Sequence, residues 1–310
     1  MGRTFEGRPL PRPGDEVVDQ GLAFDIGTLM SRRRTLRLLG IGAAAGLAAC
    51  STAGTGQTST PTSAPARAAG EIPEETAGPY PGDGSNGPDV LEQSGVVRRD
   101  IRTSFGDASG TAEGVALTLT LTVTDLAAGT AFAGAAVYVW HCTREGGYSL
   151  YSEGIESENY LRGVQVADAA GRVTFTTVFP GCYDGRWPHI HFEVYPDESS
   201  ITDSANAIAT SQVALPQETC AQVYAEPGYE SSVSNLARVS LDGDNVFGDD
   251  GGALQLATMT GDPAAGFTAT LAVGVDTTTA PGGSGPVGGP GGGGPGGPGG
   301  SGPGGPPPSR

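Results

Sequence analysis

Two histidines separated by one residue, His189 and His191, lie in the run HIHFEVY. Side chains alternate along a strand, so His189, His191, Glu193 and Tyr195 share one face and Ile190, Phe192 and Val194 the other. The second face is apolar and predicts contact with a core. The first sets two imidazoles side by side, and neutral imidazole is the commonest metal ligand, so the pair is a ready bidentate metal site. The competing reading is two ordinary polar positions on a half-exposed strand, because a short motif is a hypothesis until its context fits. Here the context supplies groups of the right kind. Tyr183 follows a strand and a Pro-Gly turn, and Arg186 lies on the loop into His189. Upstream, AAVYVWHCTREGGYSLYS puts Tyr148 after a Gly-Gly turn.

The segments WHCTREGGYSLY, YLRGVQVADAAGRVTFTTVFPGCY and GRWPHIHFEVY resemble the intradiol ring-cleavage dioxygenases, the catechol and protocatechuate dioxygenase family. The resemblance runs from about Glu75 to Val275. It implies that Tyr148, Tyr183, His189 and His191 hold one non-haem Fe(III), the charge balanced by two phenolates that the cation itself helps to ionise. Tyr148 and His191 match the family's equatorial ligands, Tyr183 and His189 its axial ones. The implied partners are a small aromatic diol and O2. The diol would bind through both oxygens, with Tyr183 giving way to it. The ring would open between its two hydroxylated carbons to a cis,cis-muconate-type diacid. Arg186 matches the family's active-site arginine, whose fixed charge would stabilise negative charge developing on the ring. Gln212, in TSQVALP, matches a glutamine of the same pocket. TAGPYPGDGSNGPDVL resembles the Gly-Pro-Tyr segment lining the substrate mouth, which would bring Tyr80 to the substrate; its Gly and Pro content equally fits an ordinary loop. His141 has no counterpart among the ligands and reads as a satisfied core histidine. Arg162 reads as holding the loop after Tyr148, and the competing reading of Arg186 is a surface salt bridge. Catechol, protocatechuate and hydroxyquinol-like rings all stay open as substrates.

The elements that must position these residues read as β. VALTLTLTVTDL alternates without interruption, Val115, Leu117, Leu119, Leu121 and Val123 pointing inward and threonines outward. GFTATLAVGV repeats the pattern through Phe267, Ala269, Leu271, Val273 and Val275. Between them lie AAVYVWHC, GRVTFTTVF and HIHFEVY, separated by Gly, Pro, Asp and Asn turns. Short alternating strands punctuated by turns predict an all-β antiparallel β-sandwich, with disordered tails at both ends, and the resemblance implies that the sandwich is of the intradiol dioxygenase type. PQETCAQVYA is the best helical candidate, with Pro216 in its first turn. Nothing supplies the helical N-terminal dimerisation domain that catechol-cleaving family members often carry. The oligomeric state stays open.

The chain carries 17 arginines, no lysine and 34 acidic residues. Residues 1–29 read as a polar leader, with Met30 an alternative start. Residues 30–50 carry Arg32, Arg33 and Arg34, then an apolar run ending Leu47-Ala48-Ala49-Cys50, too short to span a bilayer. This fits a twin-arginine export signal closed by a lipoprotein-type cysteine; a plain signal peptide with a fortuitous cysteine is the competing reading. The expected address is the outer face of the membrane through a lipid on Cys50, or otherwise secretion. Downstream of Ala49 remain 10 arginines against 29 acids, which argues against nucleic-acid binding and against any membrane attachment other than that lipid. Residues 51–70 read as a flexible linker, 71–279 as the folded domain and 280–310 as a Gly/Pro-rich disordered tail. If Cys50 carries lipid, Cys142, Cys182 and Cys220 remain, with three pairings open and one thiol left over.

Two rival readings compete. A cupin-type metal sandwich also uses His-x-His but needs a further histidine downstream, whereas the third histidine, His141, lies upstream. A lipid-anchored binding or display module with an unused site is the non-enzymatic alternative. The complete set of four ligands with Arg186 argues against it.

Overall fold

The computed structural model describes residues 68–278 and, ahead of them, a two-residue strand pair, β1 (Thr4–Phe5) and β2 (Arg8–Pro9). Cys50, the arginine cluster, nearly all of the linker and the Gly/Pro tail lie outside the described residues.

The strongest alternation in the sequence makes the longest strands. β3 (Ala116–Asp125) and β11 (Gly266–Val275) lie side by side, Leu117 opposite Phe267 and Val123 opposite Val273. Their inward residues are buried while Thr118, Thr120 and Thr122 of β3 and Thr268 and Thr270 of β11 stay partly or fully exposed. The pair is parallel, a difference from the all-antiparallel expectation. No hairpin joins the two strands, so no turn forces them antiparallel. β10 (Thr258–Asp262) extends this sheet beyond β11, while β7 (Arg172–Val178) and the short β4 (Thr130–Ala131) both pair with the other side of β3. The turn into β7 needs glycine. Gly171 has φ +73°, and a Cβ there would stand 2.2 Å from the Val123 carbonyl oxygen.

The second sheet is antiparallel throughout, in the order β6 (Arg162–Val166), β5 (Ala136–Trp140), β8 (His189–Tyr195), β9 (Ala209–Ala214). Ile190, Phe192 and Val194 of β8 enter the main core with Val137 and Val139 of β5, against Leu119, Phe175 and Leu271 of the first sheet. The other face of β8 is buried too, which removes the competing reading of a half-exposed strand. A second cluster built from Val90, Leu91, Val96, Tyr138, Trp140, Tyr148 and Tyr195 covers it with loop segments. The site therefore lies between sheet and loop cover.

Two short helices complete the body. α1 (Gln217–Val223) is the expected one; α2 (Glu230–Leu236) was not legible, because of its residues only Ser232 is buried. α2 nonetheless grips the chain beside Tyr183. Ser232 Oγ accepts the Cys182 N–H at 2.9 Å and Asn235 Nδ2 donates to the Cys182 carbonyl at 2.7 Å.

The expectation that two of Cys142, Cys182 and Cys220 could pair is corrected: all three are free and buried. Each thiol instead faces a different carbonyl, Cys142 that of Gly181, Cys182 that of Arg186 and Cys220 that of Leu215.

Candidate metal centre and active site

β8 supplies the two histidines, and its register sets their neighbours. His191 lies opposite Trp140 of β5 on one side and Gln212 of β9 on the other. The Trp140 indole stacks on the His191 ring, 4.8 Å between centroids and 6° from parallel, and so fixes the imidazole plane. His189 is fixed by its backbone. Its Nδ1 lies within hydrogen-bond distance of the Trp187 carbonyl, which can only accept, so Nδ1 carries the proton and Nε2 keeps its lone pair.

That lone pair points at a shared centre. His189 Nε2 is 3.1 Å from His191 Nε2 and 3.1 Å from Tyr183 Oη. Tyr148 comes from the turn after β5, where Gly146 has φ +96° and passes against the Tyr183 Cβ. Its ring meets Tyr183 edge-on at 5.9 Å and His191 at 6.3 Å. The four side chains named from the sequence thus come together. Among the described residues no group of three His, Cys, Asp or Glu side chains is placed to hold a metal, so this cluster depends on its tyrosines.

The electrostatics suit a cation. Burial, then Arg186, pushes His189 down to about 3, and burial, then His189, pushes His191 well below the imidazole range. Both are therefore neutral and able to donate lone pairs. Burial raises Tyr183 to about 12, with Arg186 opposing it, and raises Tyr148 well above the phenol range, with Tyr183 the next cause. Among the described residues the Tyr148 phenol oxygen is buried without a hydrogen-bond partner, as is Nδ1 of His191. Two lone-pair nitrogens and two phenols beside an orphaned buried oxygen fit a hard, highly charged ion such as Fe(III), which would draw off the phenol protons. Cys182 does not join them, because its thiol faces backbone carbonyls and burial pushes it up to about 12.

Arg186 is not on a surface salt bridge. Its Nε donates to Asp244 Oδ2 at 3.0 Å, and Nη2 donates to Gln212 Oε1 at 2.7 Å and more weakly to Asp244 Oδ1 at 3.3 Å. The Asp244 side chain is fully buried and that of Arg186 is 14% exposed. Gln212 Nε2 donates to the Thr76 carbonyl at 3.0 Å, so both ends of this side chain are engaged and tie Arg186 to the segment that leads to Tyr80. Tyr80 lies over the cluster, its ring 5.0 Å from Tyr148 and 5.1 Å from Tyr151. Tyr151 Oη accepts the Gly82 N–H and donates to Asn86, pinning this loop.

The loop after Tyr148 is held by Arg162. Its guanidinium donates to Ser149 Oγ and O at 3.0 Å each, to the Pro81 carbonyl at 2.7 Å and to Tyr138 Oη at 3.2 Å. Leu150 and Leu161, at φ 73° and 58°, bracket the segment in the left-handed region, a strained conformation these contacts maintain. His141 stands apart as a satisfied core residue, between the Cys142 carbonyl and Thr177 Oγ1. Sequence reasoning missed Asp244, Ser232 and Asn235. For Asp244 the only signal was its place in LDGDNVFGDD, among several equivalent acids.

Residues 86–191, which include Tyr148, Tyr183, Arg186, His189 and His191, match the family model described as Dioxygenase. Among solved structures, the intradiol ring-cleavage dioxygenase from Tetranychus urticae is 24% identical with a TM-score of 0.51, covering 68% of this chain and 96% of that one. A second solved dioxygenase is 23% identical at a TM-score of 0.52, with the same coverage. The dioxygenase domain of a carbohydrate-binding fusion from Streptomyces sp. SirexAA-E is 21% identical at a TM-score of 0.41, covering 67% and 99%. No curated protein matched. The fold is the β-sandwich of intradiol dioxygenases.

Proposed function

We propose that this protein is a non-haem Fe(III) dioxygenase that opens a catechol-type ring between its two hydroxylated carbons with O2, giving a cis,cis-muconate-type diacid. The observation that carries the reading is the convergence of Tyr183 Oη, His189 Nε2 and His191 Nε2 beside the orphaned Tyr148 oxygen, on this fold. Tyr148, Tyr183, His189 and His191 would hold the iron. When bound, the ion supplies the Lewis acidity that draws electron density from a chelated catechol. The chain's own residues do the rest. Tyr183 is the ligand that would give way to substrate, because it is partly exposed while Tyr148 is buried. The Tyr183 oxygen would serve as the base for the proton of one catechol hydroxyl. Arg186, fixed by Asp244 and Gln212, would turn its remaining N–H edge to a ring oxygen and stabilise by hydrogen bonding the negative charge that develops there. Tyr80 and Tyr148 form an aromatic wall that receives the ring and excludes water.

The proposed address is the cell envelope, through a lipid on Cys50, with an aromatic diol and O2 as the small-molecule partners. It rests on the signal-like residues 30–50 and the acidic balance of the chain. Recovery of the protein, unlipidated, from the cytoplasm would refute it.

The test of function is the visible spectrum and iron content of the full-length protein, before and after catechol is added without oxygen. A tyrosinate-to-Fe(III) charge-transfer band that moves to longer wavelength with catechol supports the assignment. A protein that stays colourless after ferric reconstitution refutes it and leaves the binding or display module.

A further inference from the structure

The charge beside the centre is already matched from inside the protein. The chain has no lysine, so any cation facing a bound ring must be an arginine. Two guanidiniums stand next to the cluster. Arg162 is buried behind the Tyr151 ring, its donors turned to Ser149, Pro81 and Tyr138. Arg186 is paired with Asp244, and this carboxylate is not free to swing away. The backbone N–H groups of Trp187, Val246 and Phe247 donate to it at 2.7, 2.8 and 3.2 Å, independently of Arg186. Gln212 takes a further Arg186 donor, leaving Nη1 as the part of the guanidinium without a hydrogen bond among the described residues. One N–H edge can touch a ring oxygen, but a charge already balanced by a locked carboxylate cannot balance a second. A ring carboxylate would then be buried against tyrosines without a counter-ion, the costly arrangement for any anion. The surplus of acidic residues adds to its exclusion.

We infer that Asp244, by holding Arg186 in a closed ion pair, restricts this centre to catechols that bear no ionised ring substituent. The inference rests on the function proposed above and names its substrate class.

The experiment measures kcat/KM of the iron-loaded full-length protein, by oxygen uptake, on catechol, 4-methylcatechol and 3,4-dihydroxybenzoate. The uncharged rings should exceed the carboxylate by at least about 100-fold, chiefly through KM. In Asp244→Asn, which keeps the shape and removes the charge, that ratio should narrow about tenfold or more. A wild-type ratio near one, or one favouring the carboxylate, overturns the inference. So does an unchanged ratio in a folded, iron-loaded variant. If the variant does not fold, anaerobic titration of the wild type decides. A shift of the visible band by 3,4-dihydroxybenzoate at concentrations as low as those of catechol overturns the inference, and a shift only at roughly 100-fold higher concentration supports it. Failure to cleave any of the three rings refutes the proposed function itself, a different result from cleaving them without discrimination.

Discussion

Replacing Arg162 with methionine should loosen the loop that carries Tyr148 more than any change at the surface. The guanidinium is 1% exposed and makes four hydrogen bonds, two to Ser149 and one each to Pro81 and Tyr138. Hydrogen bonds to a charged group are worth about 1.5–3 kcal/mol each, which would suggest a gross loss of roughly 6–12 kcal/mol. Methionine also removes the cost of burying a cation, several kcal/mol, and keeps most of the stem volume. The net loss should therefore be about 3–5 kcal/mol, a large fraction of an ordinary domain's stability. Urea unfolding followed by the fluorescence of the two tryptophans, Trp140 and Trp187, both buried, measures it directly. Arg162→Lys restores the charge but not the fork, and should recover less than half of the loss. Because the same bonds hold the residue that follows Tyr148, iron affinity should fall alongside stability. A loss below about 1 kcal/mol in the methionine variant, with iron binding unchanged, would refute the view that Arg162 organises this loop.

Three further outcomes follow from the same geometry. Tyr148→Phe removes the orphaned oxygen and should lower either bound iron or turnover by about 100-fold or more, read by metal analysis and oxygen uptake; wild-type values for both would contradict its place in the cluster. Gly171→Ala should cost about 3 kcal/mol in urea unfolding, because the left-handed backbone and the Val123 carbonyl both oppose a Cβ; a neutral result would mean that the turn relaxes freely. Burial pushes His141 down to about 4 from the ordinary 6.5, so the folded chain resists a proton that the unfolded chain accepts. Its contribution is complete above pH 6.5 and is lost as pH falls toward 4, about 3 kcal/mol in all. His141→Gln should flatten that part of the acid-side slope, and an identical slope in the variant would show that His141 is not its source.

The strands and ligands were legible where one residue type repeats at a fixed interval. Leu117 to Val123 and Phe267 to Val275 alternate cleanly because one face of each strand meets the core and the other meets water. His189 and His191 stood out because the strand period alone puts them on one face. β9 gave no such pattern, because Ala209–Ala214 is covered on both faces and mixes Thr, Ser and Gln with apolar residues. β6 opens on the buried Arg162 and a glycine, and β10 is almost wholly exposed. Burial of the histidine face of β8 was not legible for a related reason: polar residues predict exposure unless something else covers them, and the cover comes from loops with no period of their own.

The charge balance of the site was the part least open to sequence reasoning. Arg186 was legible from its place three residues before His189, but its partner is 58 residues further on, in a segment with several carboxylates of equal rank. What singles out Asp244 is that three backbone N–H groups converge on it, and those amides come together only after the 244–247 turn has folded against Trp187. Until then Arg186 stands between two readings, an active-site cation and a surface salt bridge. Afterwards it is half of a closed pair, and the buried ion pair serves selectivity more than stability, since an apolar pair of the same volume would hold the loop about as well.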